Sequence, residues 1–250
     1  MGSEILRDIS FEIEPQSFQF LTGPSGAGKT TLLRTITGLE EAASGDITLD
    51  GTPLLGMRTE DIARAGVGLD NIDIKAADEK GIVVSAALGI NANAVGELTV
   101  GLALSLLRDI VQRDASTRNG EWNRAAGREL SGKTWGFLGF GATGRSTSKL
   151  LSGFSLTQIA YDPFVKDGGA AAMKTFDEVI SQSEIISVHL PSNADTKKII
   201  NPAALAKMKK GAIIVSVGRG EVIDEEALES ALRDRAIAGA ALDVREVEPA

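Results

Sequence analysis

Two glycine signatures occur in this one chain: Gly23-Pro-Ser-Gly-Ala-Gly28-Lys29-Thr30 and, more than a hundred residues later, Gly139-Phe-Gly141-Ala-Thr-Gly144. Either works as a phosphate-holding loop only where a strand runs into it and a helix runs out. Both surroundings comply. Phe18-Gln-Phe-Leu21 leads into the first loop, and a helical stretch follows from Lys29 to about Gly38. Trp135-Gly-Phe-Leu138 leads into the second, and Arg145 to Leu151 suits the helix leaving it. The chain is therefore expected to be α/β. The two spacings suit different ligands, a nucleoside triphosphate for the first and a dinucleotide for the second.

Between the signatures, Ile62 to Asn71 reads as a short strand with a glycine turn, and the β-branched run at 81–85 as a buried strand. A helix is expected over 97–112. Leu98, Leu102, Leu106 and Leu107 leave it little polar face, so it should be buried or lie between domains. Beyond it, strands at 135–139, 158–161, 184–189, 212–217 and 238–244 alternate with helical or looped stretches, which predicts parallel pairing in a doubly wound sheet.

Composition narrows the function classes. A net charge of -8 gives nucleic acid or an anionic membrane surface no electrostatic footing. The absence of cysteine excludes disulfides, thiolate metal sites and cysteine nucleophiles, and fits a cytoplasmic location. No basic segment followed by an apolar core opens the chain, so no signal peptide is expected. The longest uncharged stretch, 81–96, is interrupted by Gly89, Asn91 and Asn93, which argues against membrane insertion.

In the first signature each residue has a task. Backbone amides around Gly23, Ser25, Gly26 and Gly28 cradle phosphates, Lys29 reaches the terminal ones, Thr30 holds magnesium, and Thr31 continues the loop into the helix. With Ile5-Leu-Arg-Asp-Ile-Ser-Phe before it and Ser44-Gly45 and Leu49-Asp-Gly after it, the segment over about 1–55 resembles the start of an ABC transporter ATPase subunit, the cell-division type most nearly. The resemblance implies ATP with magnesium as a second ligand set. That family's glutamine loop, Leu-Ser-Gly-Gly-Gln signature, Asp-Glu strand end and switch histidine have no counterpart in the chain, so ATP turnover is expected to be negligible.

In the second signature Gly139 permits a tight turn, Gly141 the approach of a pyrophosphate and Gly144 close packing of the helix, with Thr143 in the same loop. Asp162 ends the next strand, eighteen residues beyond Gly144, where an acid accepts from ribose hydroxyls and favours NAD over NADP. Around this frame stand Ala65-Gly-Val-Gly-Leu-Asp-Asn-Ile-Asp73, Gly120-Glu-Trp-Asn-Arg124, Ala160-Tyr-Asp-Pro163, Val188-His-Leu-Pro191, Gly218-Arg-Gly220 and Leu242-Asp-Val-Arg-Glu-Val-Glu-Pro249. Together they resemble the D-2-hydroxyacid dehydrogenase family, with phosphoglycerate dehydrogenase and its close relatives as the nearest subtype. The resemblance implies a Rossmann-type NAD domain, NAD as cofactor and a small 2-hydroxy or 2-keto acid as substrate. It makes Arg219 the carboxylate-gripping arginine, Glu248 the acid that orients the catalytic histidine, and Asp243 the residue near the nicotinamide carboxamide. His189 falls at a position lining the cofactor cleft, with a plain structural histidine as its alternative.

These readings give three expected segments: an ATPase-like fragment at 1–56, part of a substrate domain at 57–96 and the NAD domain at 97–250. A homodimer is a further expectation. In the family the proton-transferring histidine follows the glutamate by a few tens of residues in a Pro-His segment. The chain stops at Ala250, so keto-acid reduction is expected to be impaired. Its rivals are an ATP-binding module and a chimera that merely folds. Thr143, Ser146, Thr147, Ser155 and Gln158 stand where the family has apolar residues or glycine. Arg245 replaces an aromatic near Glu248, and these departures are expected to narrow the margin of stability.

Overall fold

A computed structural model of the chain describes residues 72–87 and 89–247, with residue 32 and the stretches 47–49, 52–53 and 62–64. The first glycine signature (Gly23, Ser25, Gly26, Gly28, Lys29, Thr30 and Thr31) and Glu248 lie outside the described residues. Contacts divide the chain into one unit over Met1–Asn91 and another over Ala92–Ala250.

In the first unit, β1 (Thr48–Leu49) pairs antiparallel with β2 (Thr52–Pro53), and β3 (Ile62–Arg64) pairs parallel with β4 (Val84–Ala86). A parallel pair needs a crossover, and helix α1 (Ile74–Glu79) lies in that connection. It begins where Asp73 Oδ1 accepts the Ala76 N–H at 2.9 Å, an N-cap that satisfies one of the free first-turn donors.

The second unit opens with α2 (Ala92–Arg108) and α3 (Ile110–Arg118). The sequence suggests one helix over 97–112. The chain instead starts earlier and breaks at Asp109, whose φ of 51° is left-handed, a conformation Asp tolerates better than most residues. Leu107 is buried, Leu102 and Leu106 are half-buried and Leu98 is exposed, so the apolar stripe is only partly covered.

The sheet follows: β5 (Thr134–Leu138), α4 (Ala142–Leu150), β6 (Thr157–Tyr161), β7 (Ala172–Met173), α5 (Phe176–Gln182), β8 (Ile185–Val188), α6 (Pro202–Lys207), β9 (Ile213–Ser216), α7 (Glu225–Arg233) and β10 (Gly239–Leu242). All six strands are parallel, in the order β10-β9-β8-β5-β6-β7, which is the doubly wound sheet expected. Side chains alternate across it. Trp135, Phe137, Ile185, Ile213 and Val215 meet Ala103 and Leu107 of α2 on one face. Leu138, Ile159, Ile186, Val188 and Ile214 meet Val179, Leu205 and Leu228 of α5, α6 and α7 on the other.

The polar departures in α4 are matched by partners. Thr147 is buried and its hydroxyl donates to Thr143 O at 2.9 Å, while Ser146 donates to Asn93 Oδ1 at 2.8 Å. Ser148 donates to Gln158 Oε1 at 2.6 Å, and Gln158 Nε2 returns a bond to Ser148 O at 3.3 Å. Small side chains also let two helices close: a methyl group on Gly96 of α2 would stand 3.2 Å from both Ser146 Oγ and the Thr147 amide nitrogen. The hydroxyls thus replace apolar packing without leaving orphaned donors, and the expected penalty is largely met within the fold.

Candidate functional site

The chain runs outward from β5 to β6 and β7, then returns to place β8 on the other side of β5. Loops after β5 and β8 therefore diverge at the carboxyl edge of the sheet, the place where doubly wound folds hold ligands. Among the described residues, the expected cofactor positions and Arg219 lie on that edge: Gly139 to Gly144 after β5, Asp162 after β6, His189 after β8, Arg219 after β9 and Asp243 after β10.

The three glycines separate by cause. Gly139 has a φ of +89°, and a Cβ there would sit 2.9 Å from the His189 carbonyl carbon. A Cβ on Gly144 would sit 2.6 Å from Gly139 O. The fold itself needs both. Gly141 is different. Its φ is −75°, which any residue adopts, and nothing lies within 4 Å of the Cβ direction. It is also the N-cap of α4, so the first-turn amides of a nine-residue helix are left without a side-chain cap. The protein has no packing reason to omit a side chain there, whereas a pyrophosphate resting on the helix start would require it. On this observation the residues present fit a dinucleotide.

Asp162 is half-buried. One oxygen accepts the Phe140 N–H at 2.8 Å and the other the Phe164 N–H at 2.9 Å. A carboxylate has about four acceptor positions, so two remain for ribose hydroxyls. Beside it opens a crevice of about 460 Å³ lined by Tyr161, Asp162, Val165, Lys174, Thr175 and Glu178. Thr143 is half-buried in the first turn of α4.

His189 is tied into the sheet. Trp135 Nε1 donates to Ser187 Oγ at 2.8 Å, and His189 Nε2 lies 3.1 Å from the same oxygen. Indole is a donor only, whereas the serine oxygen accepts twice and donates once, so the direction of the bond to Nε2 follows the imidazole tautomer and Nδ1 takes no part in it. That Nδ1 is enclosed without a protein partner. Burial pushes the imidazole from its ordinary 6.5 down to about 3, so it is neutral at pH 7.

Arg219 is half-buried, with Nη1 donating to Gly218 O at 2.9 Å. Its loop is held from both sides. A Cβ on Gly218 would lie 2.5 Å from Leu190 O, and one on Gly220 only 1.8 Å from Arg245 O. Asp243 is exposed, and its N–H extends the ladder to Ser216 O at 2.9 Å. Arg245 turns its charge onto Glu225 of α7, with bonds of 3.0 Å from Nε to each carboxylate oxygen and 2.8 Å from Nη2. These hydrogen bonds, with one from the Glu246 amide, hold the Glu225 carboxyl below its ordinary value. Lys198 pairs with Glu246 at 2.9 Å. The sequence offers no sign of Glu225, Lys198 or Ser187 in these roles, because each partner is distant in the chain or in ordinary helical and strand text.

Among the described residues no group of acidic, histidine or cysteine side chains is arranged to hold a metal ion. Nor is any described helix long and apolar enough to cross a membrane.

The comparisons with known proteins agree with this geometry. D-3-phosphoglycerate dehydrogenase of Methanocaldococcus jannaschii is 43% identical over 195 residues, covering 75% of this chain and 37% of that protein. Hydroxypyruvate reductase of Thermotoga maritima is 43% identical over 197 residues, covering 78% and 64%. The crystal structure of a glyoxylate reductase from Paecilomyes thermophila superposes with a TM-score of 0.70 at 37% identity, covering 74% of this chain and 58% of that one. The chain thus spans less than two thirds of the length of each. At the amino-terminal end, residues 6–82 match the ABC transporter family, a longer reach than the resemblance over about 1–55. Residues 100–250 match the D-isomer specific 2-hydroxyacid dehydrogenase NAD binding domain, and the chain belongs to that family.

Proposed function

We propose that the chain is an NAD-dependent oxidoreductase acting on a small 2-hydroxy or 2-keto acid, of the phosphoglycerate dehydrogenase kind. The bare, uncapped helix start at Gly141, beside the acid Asp162, carries the reading. Amides at the start of α4 bind the pyrophosphate, and the carboxylate of Asp162 receives the ribose hydroxyls and repels a 2′-phosphate. Bound NAD supplies the hydride acceptor. Arg219, a planar donor fork on a loop pinned on both sides, grips the substrate carboxylate and polarises the neighbouring carbonyl. Glu248 orients the proton-transferring group, and Asp243 holds the carboxamide. His189 is not that proton donor, because it is neutral at pH 7 and its Nε2 faces Ser187.

The reading keeps the segments 1–56, 57–96 and 97–250 and a cytoplasmic location. It includes a homodimer, for which Ile110, Val111 and Trp122 offer exposed apolar side chains. Fluorescence titration with NADH and NADPH tests the cofactor reading: NADH should bind the more tightly, and equal affinities or no binding to a folded sample would reject it. A second reading, an ATP-binding module, has the ABC transporter match at residues 6–82 behind it. Magnesium-dependent ATP binding lost in Lys29→Ala would support it, and steady turnover lost in that variant would contradict the negligible hydrolysis expected.

A further inference from the structure

The amide of Phe140 has no place in the strand ladder. Gly139 N–H makes the last bond toward β6, to Tyr161 O at 2.9 Å, and the chain then turns away. The Phe140 ring is buried, edge-on to Phe137 at a centroid distance of 5.2 Å and beneath the Arg145 guanidinium at 5.2 Å, so its backbone is held away from water. Asp162 Oδ2 meets that amide at 2.8 Å. The other oxygen of the same carboxylate accepts from Phe164, in the turn leaving β6. One side chain therefore ties the loop after β5 to the turn after β6.

We propose that Asp162 is a positioning residue for the 139–144 loop in addition to its ribose role, so that one carboxylate fixes both loop geometry and cofactor choice. This inference rests on the NAD reading above and deepens it. A charged acceptor makes the stronger bond to a backbone amide, and no other described group replaces it at Phe140. Removing the carboxylate ends the repulsion of a 2′-phosphate. It also frees a buried amide in the loop that must meet the pyrophosphate of either cofactor. Any gain for NADPH is then offset by a loss common to both, and the preference relaxes without switching.

The test uses Asp162→Ala and Asp162→Asn, with amide hydrogen exchange in the absence of cofactor and titrations with NADH and NADPH. In Asp162→Ala, exchange at Phe140 is expected to accelerate at least about tenfold, the scale of one lost charge-assisted hydrogen bond. The amides of Ile186 and Ile214, in the middle of the sheet, should keep wild-type protection and report that the variant is folded. Should they not, the near-isosteric Asp162→Leu carries the same contrast. NADH is expected to weaken at least about tenfold in Asp162→Ala with no tightening of NADPH. Asp162→Asn drops the charge and keeps one acceptor oxygen for the two amides of Phe140 and Phe164, so protection should stay at one of them and fall at the other, and the variant should bind NADPH more tightly than Asp162→Ala does. Unchanged Phe140 protection in a folded Asp162→Ala overturns the proposal, as does NADPH binding by that variant as tight as wild-type NADH binding. A wild-type chain that binds neither cofactor rejects the NAD reading, while the exchange result still decides whether Asp162 braces the loop.

Discussion

Acidification from pH 7 to pH 5 should destabilise the chain through one side chain, His189. Its imidazole stands at about 3 in the folded state against an ordinary 6.5. Between those values the unfolded chain binds a proton that the folded chain refuses, so stability falls as the pH drops below 6.5 and levels off near 3. Each pH unit inside the window costs about 1.4 kcal/mol, which makes the loss about 2 kcal/mol at pH 5. Among the described residues the interval from pH 6.5 to 5 belongs to this group almost alone. The chain has a single histidine, unfolded carboxylates titrate near pH 4, and the shifted carboxyls of Glu178, Glu184 and Glu225 are held lower still. Urea unfolding followed by the fluorescence of Trp135, which is fully buried, measures the change at pH 7, 6 and 5. His189→Gln should show a nearly flat profile over the same interval. Parallel profiles for wild type and variant would refute the reasoning, and so would an imidazole resonance of the folded chain that titrates near 6.5.

Three further outcomes follow from the packing. Gly141→Ala meets nothing within 4 Å, so the urea midpoint should hold within about 0.5 kcal/mol while NADH affinity, read by fluorescence titration, falls at least about tenfold. Gly220→Ala, by contrast, would drive a methyl group into the Arg245 carbonyl and should cost about 1–3 kcal/mol in the same unfolding assay, with Gly211→Ala as a strained comparison whose Cβ touches almost nothing. Ser148→Ala and Gln158→Leu should each cost about 1–3 kcal/mol by orphaning the other partner, and the double variant should cost clearly less than their sum.

Much of the fold was legible because its determinants are local. The β-branched runs of β8 and β9 are buried on both faces, as a parallel sheet requires, and the glycine turns after β5 and β9 mark the edge where the site lies. The helix starts carry equally local signals. Thr175 with Glu178 forms a capping box, Asn201 caps a helix with proline at its first position, and Asp224 caps α7. The break at Asp109 was not legible, because nothing in the apolar pattern of 97–112 opposes continuing the helix. Its left-handed turn separates a packed helix from α3, which buries no residue.

The candidate site divides along the same line. Gly139, Gly144 and Asp162 could be picked out from spacing, since a tight turn, a close approach and an acid at a strand end are short-range requirements. What fixes those residues in place is long-range. The charge of Arg245 reads from sequence as a disturbance beside Glu248. In the fold it is absorbed by Glu225, twenty residues earlier, which also takes the Glu246 amide and so fastens 245–246 to the start of α7. That same backbone closes over Gly220, so the loop carrying Arg219 is confined by contacts no motif records. An arginine in place of an aromatic is tolerable here because it is exposed and a carboxylate at the first turn of a neighbouring helix faces it. Residue type announces the chemistry, and the partner that makes the residue acceptable emerges only when the strands are laid side by side.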